Sequence, residues 1–284
     1  MTAIETLARV SPSQCWTFPV DTPVRRRLFV EEVFAHPAKL HLGLLQRLID
    51  LYTAPGDTLL DPMAGTGSLM LAATQQRHVI LRDIQAEYVA MMRSSTAQIH
   101  QAGGLFAGLI DIDQADAKTL VCPRFDHILF SPPYGFETGN GVSNARRVRI
   151  LAEQKHGDRW RRYLEQPCHA SFAAGFRYAG GRGNTGNKSG RNYWSDMRTI
   201  YGHLADLMPA GGLMIVVLKN HYRRGKLIDV VQTTVVEVTQ IGLDLVARHG
   251  RLIDNPSLWQ RRRREQGLPI VEVEDVLVFR KVSA

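Results

Sequence analysis

Cysteine is scarce in this 284-residue chain, which has only Cys15, Cys122 and Cys168 and no CxxC pair. An odd, scattered set neither forms a disulfide framework nor has zinc-site spacing, so reduced thiols and no metal are expected. Long apolar runs are also lacking. Stretches such as LMIVVL at 213–218 fall far short of the roughly 20 residues that a membrane-spanning helix needs. The opening MTAIETLARVSPSQ has no basic start ahead of an apolar core. A cytoplasmic protein without a membrane partner is expected. The Gly-Lys-Ser/Thr of a P-loop is absent, and Met70 stands where a dinucleotide fingerprint needs its third glycine. Phosphate cradles, a nicotinamide dehydrogenase's among them, are thereby disfavoured.

What is present reads as one large globular domain, with 44% hydrophobic and 22% charged residues. The charge is local. Residues 141–200 hold twelve Lys or Arg against four Asp or Glu, the same excess as the whole-chain net charge of +8. A basic block of this kind suits an extended polyanion, although a solvated surface excursion would read similarly. Inside it, YAGGRGNTGNKSGRN at 178–192 has almost no apolar residue and should be a loop.

Elsewhere strand-like and helix-like segments alternate. KLHLGLLQRLIDLY has helical spacing, and TLLD at 58–61 is a short buried strand. A helix from Ser68, a strand at 78–83, a helix at 86–99 and strands near 108–112 and at DHILFS follow. Beyond the basic block come a helix at 193–207, the strand LMIVVLK and a last helix at 227–241. LDLVARHG and VEDVLVFRK then read as a hairpin with no helix between them. The pattern predicts an α/β fold, a mostly parallel sheet with an antiparallel last strand, helices on both faces and a basic insertion. Ligands of such sheets bind beyond the carboxyl ends of the strands.

The notable residues all fall there. In LLDPMAGTGSLM a strand ends at Asp61, and Gly65 and Gly67 let a ligand approach bare backbone at a helix start. Asp61 puts negative charge beside that turn, which suits an ammonium or hydroxyl donor better than a pyrophosphate. Asp83 ends the next strand, where it is placed either to accept both hydroxyls of a ribose or to cap the following helix. Asp116 follows the third strand and is equally an adenine-amine acceptor or a surface cap. HILFSPPYG stops a strand at two prolines, which lack an N–H and fix φ.

A glycine turn with its acid, a ribose-type acid, a third acid and then SPPY resemble the amino-methyltransferases, which move a methyl from S-adenosylmethionine to an exocyclic base nitrogen. The resemblance implies a Rossmann-like, seven-stranded methyltransferase fold. FAHPAKLHLGLLQRLIDLY is similar to the segment that holds the methionine end of the cofactor, which implicates Pro37 and Lys39. By the same resemblance Asp61, Pro62, Ala64, Gly65, Thr66, Gly67, Ser68, Asp83, Ile84, Asp116 and Ala117 would contact S-adenosylmethionine, and Ser131, Pro132, Pro133 and Tyr134 would be catalytic. Cytosine-N4 enzymes usually have Ser at the first position of the tetrapeptide, and adenine enzymes Asp or Asn. The order here, with cofactor motifs ahead of SPPY, departs from the commonest order in cytosine-N4 enzymes, so the reaction is implied more tightly than the base. Adenine N6, an RNA base, and a non-catalytic nucleic-acid-binding protein on the same fold are the alternatives. A Pro-Cys step resembling the nucleophile of cytosine-C5 enzymes occurs at Cys168, but it follows WRRYLE rather than a buried strand.

The implied partner is DNA, duplex by preference, with a cognate restriction endonuclease as a possible companion. Residues 1–134 would form the cofactor half and catalytic strand, 135–191 the target-recognition insertion, and 192–284 the rest of the domain. Arg146, Arg147, Arg149, Arg161, Arg162, Arg182, Lys188 and Arg191 are the expected nucleic-acid contacts, joined by Arg262 and Arg263 from WQRRRREQG. Phe136, Tyr193 and Trp194 are further candidate walls for a flipped base.

Overall fold

The computed structural model describes residues 11–35, 39–133, 183–223, 226–253 and 258–282. Seven strands form one sheet. They are β1 (Thr58–Asp61), β2 (His78–Asp83), β3 (Ile110–Gln114), β4 (His127–Phe130), β5 (Leu213–Leu218), β8 (Leu243–Leu252) and β9 (Val273–Lys281). Their order is β3-β2-β1-β4-β5-β9-β8, and a separate antiparallel pair joins β6 (His221–Arg223) to β7 (Lys226–Ile228). The first five strands of the sheet pair in parallel, and β9 runs antiparallel to both β5 and β8. The expected antiparallel last strand is therefore present, inserted between β5 and β8.

Alternation along the strands divides the core into two layers. Leu59, Val79, Leu81, Leu129, Ile215, Val217, Val276 and Val278 face one way. They meet α1 (Thr22–Leu28), α2 (Leu42–Tyr52) and α3 (Ala86–Gly103). Leu60, Ile80, Ile128, Phe130, Met214, Val216, Leu277 and Phe279 face the other way, against α4 (Gly190–Leu207) and α5 (Val230–Gln240). The spaced leucines of α2 are its buried stripe, and His41 caps it by accepting the Gly43 N–H at Nδ1 (3.1 Å).

Three elements differ from expectation. Ser68–Gln75 is a 3₁₀ rather than an α-helix, packed beside α2 and α3 and bounded by positive φ at Gly67 and Gln76. A short helix, α6 (Leu258–Glu265), lies between β8 and β9, so their connection is not helix-free. It is so rich in arginine that no apolar periodicity marks it. Residues 227 and 228, expected to open the last helix, belong to strand β7, and α5 starts at Val230, where Asp229 accepts the Gln232 N–H (3.1 Å).

The β8–β9 hairpin is fixed by a buried pair, with Arg248 donating to Asp275 Oδ1 at 2.7 and 2.9 Å. Removing one member of such a pair strands the other in a poorly hydrated place. Asp275→Ala should cost about 3–5 kcal/mol in denaturant unfolding. A loss below 1 kcal/mol, taken on the same scale, would show the pair to be dispensable.

Candidate active site

Because β1, β2, β3 and β4 are parallel, the residues that end them emerge at one edge. Asp61 is the last residue of β1 and is buried. Its Oδ1 accepts the Met63 N–H at 3.0 Å. Burial pushes its carboxyl up to about 8, Asp83 adds to the rise, and the Met63 bond opposes it. Asp83, also buried, accepts Gly65 N–H at Oδ2 (2.8 Å) and Gln85 N–H at Oδ1 (2.9 Å). Burial raises its pKa, against the pull of these backbone donors. The capping alternative thus holds in altered form, since Gln85 is the N-cap of α3 and Asp83 braces it from two residues upstream.

The Asp83–Gly65 bond also ties the glycine turn to β2. Within that turn Gly65 and Gly67 have φ of +52° and +79°. A Cβ on Gly67 would lie 2.7 Å from Met92 Cγ of α3, so this position needs glycine for conformation and for space. From the other side Arg25, 2% exposed, donates to Ser68 Oγ (3.0 Å), Leu40 O (2.8 Å) and Asp21 Oδ2 (2.7 Å). It locks the N-terminal segment onto the turn. Burial would raise the Asp21 pKa, but the Arg25 charge and the Leu42 N–H outweigh it and hold the carboxyl below its usual range.

A cavity of about 270 Å³ runs along this edge. Lys39, Asp61, Pro62, Ala64, Gly65, Thr66, Ser68, Asp83, Ile84, Asp116 and Ala117 line it, together with Ser131, Pro132 and Pro133. Eleven expected cofactor residues and three of the tetrapeptide are therefore brought together. Gly67 supports the turn without lining the cavity. Pro37 and Tyr134 lie outside the described residues, as do Phe136, Arg146, Arg147, Arg149, Arg161, Arg162, Cys168, Arg182 and the Arg262 side chain.

Behind the double proline, Tyr193 of α4 donates its hydroxyl to Pro133 O at 2.8 Å. The expected wall residue thus holds the peptide group that follows Pro133. Asp196 of α4 accepts from Thr185 Oγ1 (2.8 Å) and Lys188 Nζ (2.7 Å) and lies 3.6 Å from Lys118 Nζ. This hub anchors residues 185–188 beside the Asp116 turn. Lys188 is thereby engaged in an ion pair, whereas Arg191 is exposed. Arg263 donates to Pro269 O (3.0 and 3.1 Å) and lies over the Tyr222 ring.

Sequence reasoning missed Tyr88, Asn184, Thr185, Lys219, Arg251 and Glu274, which also line the cavity, and the lock made by Arg25. Burial and the nearby Asp83 push the Tyr88 hydroxyl up to about 12, so it stays a neutral donor. Lys219 directly follows the run LMIVVL, a visible signal; Arg251 and Glu274 are neighbours within the β8–β9 hairpin and come beside Lys219 only once β9 pairs with β5. No group of three or more metal-binding side chains occurs among the described residues, and no described helix is long and apolar enough to cross a membrane.

Asp61 sets a pH dependence. Its folded pKa lies above the unfolded value, so its contribution to stability is full below about pH 4 and falls as pH rises towards 8. Asp61→Asn keeps the oxygen that accepts from Met63 and removes the titration. It should raise the melting temperature of the ligand-free protein more at pH 8 than at pH 5. An equal change at both pH values would contradict the buried-carboxyl account.

Comparison with known proteins adds to this geometry. Residues 8–94 match the N6/N4 methyltransferase family, described as DNA methylase. The DNA adenine methyltransferase YhdJ of Escherichia coli K12 is 36% identical over 83 residues, a match spanning 28% of this chain and 26% of that enzyme. Among solved structures, TrmN from Thermus thermophilus is 18% identical with a TM-score of 0.45, covering 89% of this chain and 52% of its own. The [4+2]-cyclase SpnF, 11% identical with a TM-score of 0.52 over 86% of this chain and 81% of its own, shares the fold. The fold by itself does not select a reaction. Residues 8–94, which carry α1, α2, the glycine turn, Asp61 and Asp83, are similar to the DNA methylases.

Proposed function

We propose that the protein transfers a methyl group from S-adenosylmethionine to the exocyclic N4 amine of cytosine in DNA. The observation that carries this reading is the shared cavity, in which Ser131, Pro132 and Pro133 face the same space as Asp61, Asp83 and Asp116. Asp61 supports the choice of cofactor. A buried carboxyl with its pKa pushed to about 8 is poised to lose its proton to the field of a cationic ligand, and the methionine end of this donor is cationic.

When bound, S-adenosylmethionine would supply an activated methyl, the C–S electron pair returning to sulfur as the amine nitrogen bonds to carbon and the amine proton passing to water. The chain's own residues bind and orient. Asp83 accepts backbone bonds from Gly65, Gln85 and Ile84, and its remaining lone pair is placed to accept a ribose hydroxyl. Asp116 is placed to accept an adenine amine, and Lys39 and the glycine turn flank the methionine end.

An exocyclic amine is a weak nucleophile because its lone pair is delocalised into the ring. Ser131 Oγ and the Pro132 carbonyl accept its two hydrogens and favour the pyramidal form, in line with the methyl carbon. Tyr193 stiffens that acceptor by holding the next carbonyl. A base in a duplex must be flipped to reach this point, at a cost of a few kcal/mol. Stacking on Tyr134, worth about 1–3 kcal/mol by analogy with single-strand binding, offsets much of it. The basic segment 135–191 and the arginines of α6 supply phosphate contacts and target reading.

Adenine N6 is the second reading, favoured by the 36% identity to an adenine methyltransferase over 83 residues. Incubating DNA with methyl-labelled cofactor and weighing the nucleosides after digestion separates the two. N4-methylcytosine supports the first, N6-methyladenine alone supports the second, and no methylated base refutes both. In the same assay Ser131→Ala should lower turnover at least about tenfold with cofactor affinity kept, whereas Asp83→Ala should mainly weaken cofactor binding. Normal turnover in Ser131→Ala would remove the serine from the reaction.

A further inference from the structure

The edge of the sheet continues past the double proline into three residues without an assigned role. Leu218 pairs with Asp275 across β5 and β9, and Glu274 pairs with Arg251 across β9 and β8. Lys219, one residue past β5, therefore falls into a row with Glu274 and Arg251. All three line the same cavity as Ser131, Pro132 and Pro133. Two unlike halves meet at the proline stop. On the β1–β2–β3 side stand Asp61, Asp83 and Asp116, and on the β5–β9–β8 side stand Lys219, Glu274 and Arg251.

Arg251 Nε donates to Glu274 Oε2 at 2.9 Å, and the two side chains are only 14% and 11% exposed. This pair is self-compensating, and Lys219 brings an ammonium group to the same half of the cavity. Burial lowers the Lys219 pKa from its usual value, with Glu274 opposing that fall and Arg251 adding to it.

On the amino-methyltransferase reading, we infer that Lys219, braced by the Arg251–Glu274 pair, recognises the ring carbonyl of a pyrimidine and so selects cytosine over adenine. Cytosine with its N4 at Ser131 and Pro132 turns N3 and the O2 carbonyl towards the β5 side, two acceptors in a row. Adenine with N6 at the same point offers N1 and then a C–H. An ammonium carries three donors and no acceptor, so it finds two acceptors on the first edge but one on the second, where the donor facing the C–H loses hydration without replacement. Sites built to hydrogen-bond a substrate group reject analogues that lack it strongly.

The test compares wild type, Lys219→Met and Lys219→Arg, with cofactor affinity by calorimetry and N4-methylcytosine and N6-methyladenine by mass spectrometry of digested DNA. Lys219→Met should lower cytosine methylation at least about tenfold with cofactor affinity unchanged within about twofold, and Lys219→Arg should recover part of the loss. Three outcomes overturn the inference: undiminished cytosine methylation in Lys219→Met, an equal fall in cofactor affinity, which would assign the lysine to the methionine carboxylate, or a wild type that methylates only adenine. A wild type that methylates no base would instead overturn the amino-methyltransferase reading on which the inference rests.

Discussion

Because β1 is hydrogen-bonded in parallel register to β2 on one side and β4 on the other, the tips of all three strands must open at the same edge. Strand order reverses between β1 and β4, and a crevice forms where successive crossings diverge. Asp61, Asp83 and Ser131 meet in that crevice although they are far apart in sequence. Everything else at the site refines this arrangement. Asp83 holds Gly65, Arg25 holds Ser68 and Leu40, and Tyr193 holds Pro133, so each wall of the cavity is fixed by a named bond.

The cost of the arrangement falls on Asp61. Burying a carboxyl among backbone groups, with Asp83 nearby, leaves its ionised form without a balancing cation among the described residues. In a purely structural setting an apolar residue would serve better. A cationic ligand resolves the conflict, which makes the strain at Asp61 the physical link between the fold and the proposed methyl donor.

Much of the fold and of the acidic half of the cavity was legible in the sequence because its signals are local. Short apolar strands ending in acids, paired glycines and a double proline each declare themselves within a few residues, and their convergence follows from parallel topology. The opposite half was not legible. Glu274 and Arg251 pair through the foreseen β8–β9 hairpin, but they come beside Lys219 only because β9 also pairs with β5, a long-range pairing that no local pattern announces. The role of Tyr193 was hidden for a similar reason, since its partner at Pro133 lies 60 residues away. Helix α6 was missed because four consecutive arginines, 261–264, leave it no apolar stripe.

The central claim is that the acidic half of the cavity is built for a cationic methyl donor. Calorimetric titration with S-adenosylmethionine at pH 6.5, in buffers of different ionisation enthalpy, tests it most directly. The account predicts binding coupled to release of about one proton, as the cation draws the Asp61 carboxyl down from its raised pKa, and loss of that release in Asp61→Asn. Absence of binding, or binding whose heat is the same in every buffer, would contradict it.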